Sequence, residues 1–254
     1  MALYPALFIG HGNPMNALET NEFSLEWEQL GAKLQQPKSI VCISAHWTTQ
    51  EPMITAMDEP RTIHDFYGFP DELSQVQYPS PGNPVLAQEI CHHTHSKIKP
   101  DLRWGIDHGT WSILKQMFPD AEIPVIQLSI SNNLTPKEHF ELGEQLKYLR
   151  TQNVLVLGSG NIVHNLGKIK WADEAYPWAE EFDELVKQKI TSRDFDTLIN
   201  YQNLPQASLS IPTPEHYLPM LYILGMINPH SNISFFCENV TMGAISMTSF
   251  MVEN

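Results

Sequence analysis

Positive charge is scarce in this 254-residue chain: 15 lysines and arginines stand against 29 acids, a formal net charge of -14. Gripping a phosphate backbone takes many cationic contacts, so a nucleic-acid partner is disfavoured. Cysteine is scarce too. Cys42, Cys91 and Cys237 are odd in number and lack CxxC spacing, which argues against a disulfide framework or a zinc ribbon and suits free thiols in a reducing cytoplasm. No apolar run approaches the ~20 residues that cross a bilayer. The start, MALYPALFIGHG, has no basic stretch before its apolar one and reads as a first strand rather than a signal peptide. Internal repeats, low-complexity segments and long linkers are missing. GHGNP and GSGN are glycine-rich but are neither a P-loop nor a GxGxxG fingerprint. Ser159 falls outside a GxSxG pattern and is a poor nucleophile candidate.

What is present is a chain that is 42% hydrophobic, enough for a sizeable core. Apolar strand candidates fall near residues 4–9, 39–45, 123–130, 153–158, 232–237 and 244–252. Helix candidates run from Asn83-Pro84 to about His95, from Thr110 to Met117, and from Thr135-Pro136 through KEHFELGEQLKYLR. Two more run from Pro177 to Ile190 and from Thr213-Pro214 to Gly225, each placed by apolar spacing and end signals. Strands alternating with helices predict a single α/β domain over 1–254, with a mostly parallel central sheet flanked by helices. The stretch 50–82, rich in proline, aromatics and acids, reads as a long loop of the kind that covers binding sites.

The most informative feature is a set of histidines. His11 (FIGHGNP), His46 (CISAHW) and His164 (LGSGNIVH) each follow a predicted strand, and His216 (TPEHYLP) sits at a predicted helix start. Side chains at parallel strand ends converge on the crevice where open α/β folds bind ligands, and neutral imidazole is the commonest metal ligand. Any one of these alone is more often a hydrogen-bonded structural residue; four together point to a metal site. His108 (WGIDHGTW) has no clear strand before it, which favours an acid/base or substrate-contacting role over ligation. His64 and Asp65, in the aromatic loop, are candidates to face a substrate. Glu215 is placed to orient the His216 ring from behind. Cys91, His92, His93 and His95 end a helix, where histidines suit the dipole and face water. His139 and His230 read as surface residues. Ligand type alone allows iron(II), which binds a chelating substrate and dioxygen together, or zinc, which suits water activation.

The segments PALFIGHGNPMNAL, SIVCISAHW, TIHDFYGFP, WGIDHGTWSIL, VLGSGNIVHNL and PTPEHYLPMLYILG resemble the bacterial 4,5-DOPA extradiol dioxygenase family. That family belongs to the class III extradiol ring-cleavage group, with the catalytic subunit of protocatechuate 4,5-dioxygenase. The resemblance runs in order from about residue 5 to residue 250. It implies metal ligation by His11, His46 and His216, with His164 as a further ligand or as the acid/base, and His108 as the substrate-side histidine. It also implies one divalent metal per chain, Fe(II) for activity or Zn(II) as isolated, and a catechol such as DOPA opened with O2. Better-studied class III enzymes use two histidines and a glutamate, so a third histidine here departs from that pattern. The partners expected are the catechol and O2, with no nucleic acid or membrane, for a cytoplasmic monomer or small homo-oligomer. The rival readings are a zinc hydrolase and a non-catalytic binding protein on the same fold.

Overall fold

Four apolar runs, ALFIG, SIVCISAHWTT, VIQLSIS and VLVLGSG, lie side by side at the centre of one eight-stranded sheet. The computed structural model describes residues 3–172 and 174–253. The strands are β1 (Ala6–Gly10), β2 (Ser39–Thr49), β3 (Met53–Thr55), β4 (Lys99–Asp101), β5 (Val125–Ser131), β6 (Val154–Gly160), β7 (Asn232–Phe236) and β8 (Ser249–Glu253). Their spatial order is β4-β3-β5-β2-β6-β1-β8-β7. The central four, β5, β2, β6 and β1, are mutually parallel. β8 runs antiparallel to β1 and to β7, and β3 runs antiparallel to β5 while pairing in parallel with β4. The central runs are almost wholly apolar because helices cover both faces.

Period-two alternation divides the core between those faces. Leu7, Ile9, Ile40, Leu155 and Leu157 meet Trp27 of α1 (Glu22–Lys33) and Trp111 and Leu114 of α3 (His108–Met117). Phe8, Val41, Ile43 and Val156 belong to the opposite core. With them are Leu142 and Leu146 of α4 (Pro136–Leu146), Phe182 of α5 (Pro177–Thr191) and Leu221 of α6 (Leu218–Leu224). Helix α2 (Pro84–His93) packs near the β3/β4 edge through Leu86, Ala87 and Ile90. Because the central strands are parallel, their C-terminal ends share one edge, where His11 and His46 emerge. Among the described residues, no helix is long and apolar enough to cross a membrane.

Four elements differ from the sequence expectation. Helix α1 was not anticipated, although Asn21 caps it reciprocally with Ser24 and Phe23, Trp27 and Leu30 form its buried stripe. The 50–82 stretch is not one loop: it contributes β3, a two-residue strand at Arg61–Thr62 and a turn of helix at Asp71–Ser74. The 244–252 run is divided into Ile245–Ser246 and β8. Helix α6 starts at Leu218, not at Thr213-Pro214, because the Thr213 hydroxyl turns to Glu215 at 2.6 Å instead of capping the backbone. His216 therefore stands in the turn ahead of the helix.

His139 is also not on the surface. It is fully buried on α4, with Nε2–H donating to the Ser131 carbonyl (3.2 Å) and Nδ1 accepting from the Tyr222 hydroxyl (3.0 Å). Burial lowers its pKa from 6.5 to about 4. The unfolded chain therefore takes up a proton below pH 6.5 that the folded chain refuses until about pH 4, and stability falls as pH falls through that window. Between pH 8 and pH 5 this one group is expected to cost about 2 kcal/mol of unfolding free energy. Urea unfolding of the parent and of His139→Gln checks it: the stability gap between them should narrow by that amount on acidification. A gap independent of pH would show that His139 does not titrate in this way.

Candidate metal centre

The polar edge of the sheet is built from short approaches. His11 follows β1 directly, and its turn uses Gly12 at φ +59°, where a Cβ would also strike Met247 Sδ at 2.2 Å. His46 projects from the later part of β2, inside the irregular stretch between Ile43 and Thr48 where its register with β5 shifts. His216 comes from the turn before α6, and His164 from the segment after β6, where it bridges to Ile245. A small parallel ribbon, Arg61–Thr62 against Gly105–Ile106, ties the aromatic loop to the segment leading into α3. That ribbon delivers Asp65 to His108, the first residue of α3, which follows Asp107 at the N-cap position.

His11, His46 and His216 each offer a nitrogen within 4.8 Å of the others. Their other nitrogens are held from behind by oxygens. Ser159 donates to the Gly109 carbonyl at 2.5 Å, so its oxygen must accept from His11 Nδ1–H at 3.0 Å. His46 Nδ1 lies 3.3 Å from Asp65 Oδ2, and His216 Nδ1 lies 3.4 Å from Glu215 Oε1. All three tautomers are thereby fixed with the Nε2 lone pairs free. The Nε2 atoms of His11 and His46 stand 3.0 Å apart, and His216 Nε2 is buried without a hydrogen-bond partner. Lone pairs facing each other across 3 Å, beside an orphaned buried nitrogen, are costly unless a cation takes them. The donor set fits a divalent metal held by imidazoles at about 2.0–2.1 Å with oxygen partners behind each ring.

The other anticipated residues fall around this triplet. His164 is outside it, its ring stacked on His216 with centroids 3.5 Å apart and planes 6° from parallel. Burial, and then the nearby His46, lowers its pKa to about 4. His108 is buried with its ring centroid 3.8 Å from that of His46. Its Nδ1 lies 2.9 Å from Asp65 Oδ1, at ion-pair distance but out of line for a straight hydrogen bond, and Asp65 Oδ1 also accepts from its backbone N–H. Burial holds the His108 pKa below its ordinary value, with Asp65 pulling the other way. Burial alone would raise the Asp65 carboxyl; the close approach of the His108 and His46 rings outweighs it and holds the group well below the usual carboxylate range. Asp65 thus joins two histidines of the centre rather than standing free on the rim. His64 donates Nε2–H to the Val76 carbonyl at 2.8 Å and packs against Phe66 and Trp111, so its ring nitrogen is committed to the loop. Phe66 sets its edge against His108, with centroids 5.6 Å apart.

Two parts of the site were missed in the sequence. Ser159, dismissed there as a nucleophile, serves as the oxygen behind His11. Asp107, Gln127 and Ser44 form a buried hydrogen-bonded group under His46 and His108. Nothing in local spacing announces either; Gln127 in particular lies inside an apolar strand.

Comparison with known proteins agrees with this geometry. Residues 7–251 match the family model described as the catalytic LigB subunit of aromatic ring-opening dioxygenase. The chain is 44% identical over 256 residues to a 4,5-DOPA dioxygenase extradiol of Escherichia coli K12, covering 98% of this chain and 94% of the relative. It is 34% identical to a protein of the same name from Beta vulgaris, with 96% and 94% covered. A crystal structure of an uncharacterised Escherichia coli K12 protein superposes with a TM-score of 0.87 at 41% identity, covering 98% of this chain and 99% of that one. These relatives lend nothing to the hydrolase or binding-protein readings. With a family match across almost its whole length and a histidine centre at the strand ends, the chain belongs to the LigB family of class III aromatic ring-opening dioxygenases and is a metal-dependent extradiol dioxygenase.

Proposed function

We propose that this enzyme opens the ring of a catechol such as DOPA with O2, at one divalent cation held by His11, His46 and His216. Fe(II) is the active metal in this reading and Zn(II) the one retained on isolation. The observation that carries it is the shared polarity of the three rings: each Nδ1 faces an oxygen, and the opposite nitrogens gather at one point. DOPA enters from the names of the relatives. When bound, the cation supplies a Lewis acid that lowers the pKa of a catechol hydroxyl and brings the two substrates together.

The chain's own residues then move protons and exclude water. His108, kept neutral by burial, accepts the proton of a catechol hydroxyl, and Asp65 stabilises the imidazolium that results. His164, neutral down to about pH 4, is the second acid/base; it lies beside the ligand triplet and can exchange a proton without leaving a ligand position. Phe66, with His64 packed against it, stands beside His108 and suits the face of a catechol ring. The partners are small molecules, with neither nucleic acid nor membrane involved. The enzyme works in the cytoplasm as a monomer or small homo-oligomer, a setting consistent with its three free thiols.

Anaerobic loading with Fe(II), followed by air and a panel of catechols, tests the reading. Catechol-dependent oxygen uptake with a yellow product is expected, with DOPA among the substrates. Ester or amide turnover with Zn(II) and no oxygen uptake would replace it with a hydrolase. His108→Ala is expected to keep its metal while kcat falls by about 10²–10⁴; unchanged kcat would remove His108 from the proton transfer.

A further inference from the structure

Asp107 is fully buried beneath the histidines, and its carboxylate accepts from four side chains. Ser44 Oγ (2.7 Å) donates to Oδ1, and Thr110 Oγ1 shares its proton between Oδ1 (3.4 Å) and Cys42 Sγ (3.2 Å), while Gln127 Nε2 (2.6 Å) and Trp104 Nε1 (3.4 Å) donate to Oδ2. Gln127 completes a two-point clamp, its Oε1 accepting from the Asp107 backbone N–H at 2.8 Å. Ser44 Oγ itself accepts from the His46 backbone N–H at 3.3 Å, which leaves its proton for Asp107. All four partners are neutral donors. Burial, and then the like charge of Asp65, push the Asp107 carboxyl up, so keeping it ionised among neutral donors takes a counter-charge nearby.

The histidine centre is where that counter-charge would sit. Helix α3 opens His108-Gly109, and a Cβ on Gly109 would lie 2.7 Å from His46 Cδ2 and 3.4 Å from Asp107 Oδ1. Ring and carboxylate therefore border the same small space, kept free of any side chain. Resting on the metal-centre reading above, we infer that Asp107 is a positioning residue for the cation, its charge locked by Gln127 and directed through His46 at the three-histidine centre. Three neutral imidazoles bring no negative charge of their own to a divalent ion; Asp65 behind His46 and Glu215 behind His216 supply part of it, and Asp107 adds a further anion, linked to the His46 backbone N–H through Ser44 Oγ. In a site shielded from water, a fixed anion behind a ligand strengthens cation binding far more than it would in solvent.

The test is the Kd for zinc(II) alone, measured on the metal-stripped full chain by competition with a chromophoric chelator. Asp107→Asn removes the charge and little else, because its amide can turn to the Ser44 and Thr110 hydroxyls, which also accept. It is expected to weaken zinc at least about tenfold. Asp107→Asn combined with Gln127→Glu restores one negative charge to the clamp and is expected to return the Kd to within about threefold of the parent. A folded single variant that binds zinc like the parent overturns the inference, as does a folded double variant as weak as the single one. Where the single variant does not fold, the double variant decides: parent-like binding supports the role, and tenfold weaker binding overturns it. A parent chain that binds no zinc would instead sink the metal-centre reading itself.

Discussion

His46→Ala is expected to leave the protein folded but without its metal, and to lower ring-opening activity by about a thousandfold or more. The ring is the pivot of the centre. Its Nε2 faces His11 Nε2 at 3.0 Å, while its Nδ1 is 3.3 Å from Asp65, which also engages His108. Removal takes away one of the three proposed ligands and frees one oxygen of the Asp65 carboxylate, so that His108 is less firmly placed as well. Losing a partner behind a ligand commonly costs 10–100-fold in metal affinity; losing the ligand costs more. His46 lies at a partly exposed edge of the core, so the change opens no large cavity. The checks are metal content after desalting, the chelator-competition Kd, and the rise in melting temperature that added metal gives the parent by mass action. In the variant that rise should vanish. Stoichiometric metal at an unchanged Kd would show that His46 is not a ligand.

Much of this was legible because sequence and chemistry coincide at strand ends. His11, His46 and His164 follow apolar runs, and the parallel arrangement of those runs carries them to one edge. His108 was set apart by having no strand before it, and in the structure it opens α3 and meets the centre through Asp65. What could not be read depends on partners distant in sequence. Ser159 meets His11 across 148 positions, and the tautomer that this contact fixes is a property of the fold alone. His64 and Asp65 are neighbours in one loop, yet one turns to the Val76 carbonyl and the other to two histidines. Only the ribbon with Gly105–Ile106 decides which way each points. His139 misled for a simpler reason. On an amphipathic helix it shares the buried stripe of Leu142 and Leu146 and faces Tyr222, and a polar residue on that stripe reads as surface from its type alone.

Arg150 is a second buried polar side chain, and it supplies the largest structural effect expected. It is 1% exposed, at the end of the 3-10 turn after α4, and it reaches three carbonyl oxygens from three separate parts of the chain. Nε donates to Tyr4 O (2.7 Å), Nη1 to Met226 O (3.0 Å) and Nη2 to Val252 O (3.0 Å). Burial lowers its pKa only to about 10, so the guanidinium stays charged at neutral pH. The fork thereby ties the segment before β1, the segment after α6 and the last strand to one point, holding β1 and β8 together from the end away from the histidine cluster. Arg150→Met fills similar space but strands those carbonyls, each costing roughly 1–3 kcal/mol when left without a donor. A loss of about 3–5 kcal/mol in urea unfolding is expected. Arg150→Lys should recover only part of it, because one ammonium cannot span three acceptors in the planar fork. Metal content per folded molecule should stay at the parent value in both variants, since the histidines lie at the opposite edge of the sheet. A methionine variant within about 1 kcal/mol of the parent would mean that water reaches these carbonyls and takes over the role of the guanidinium.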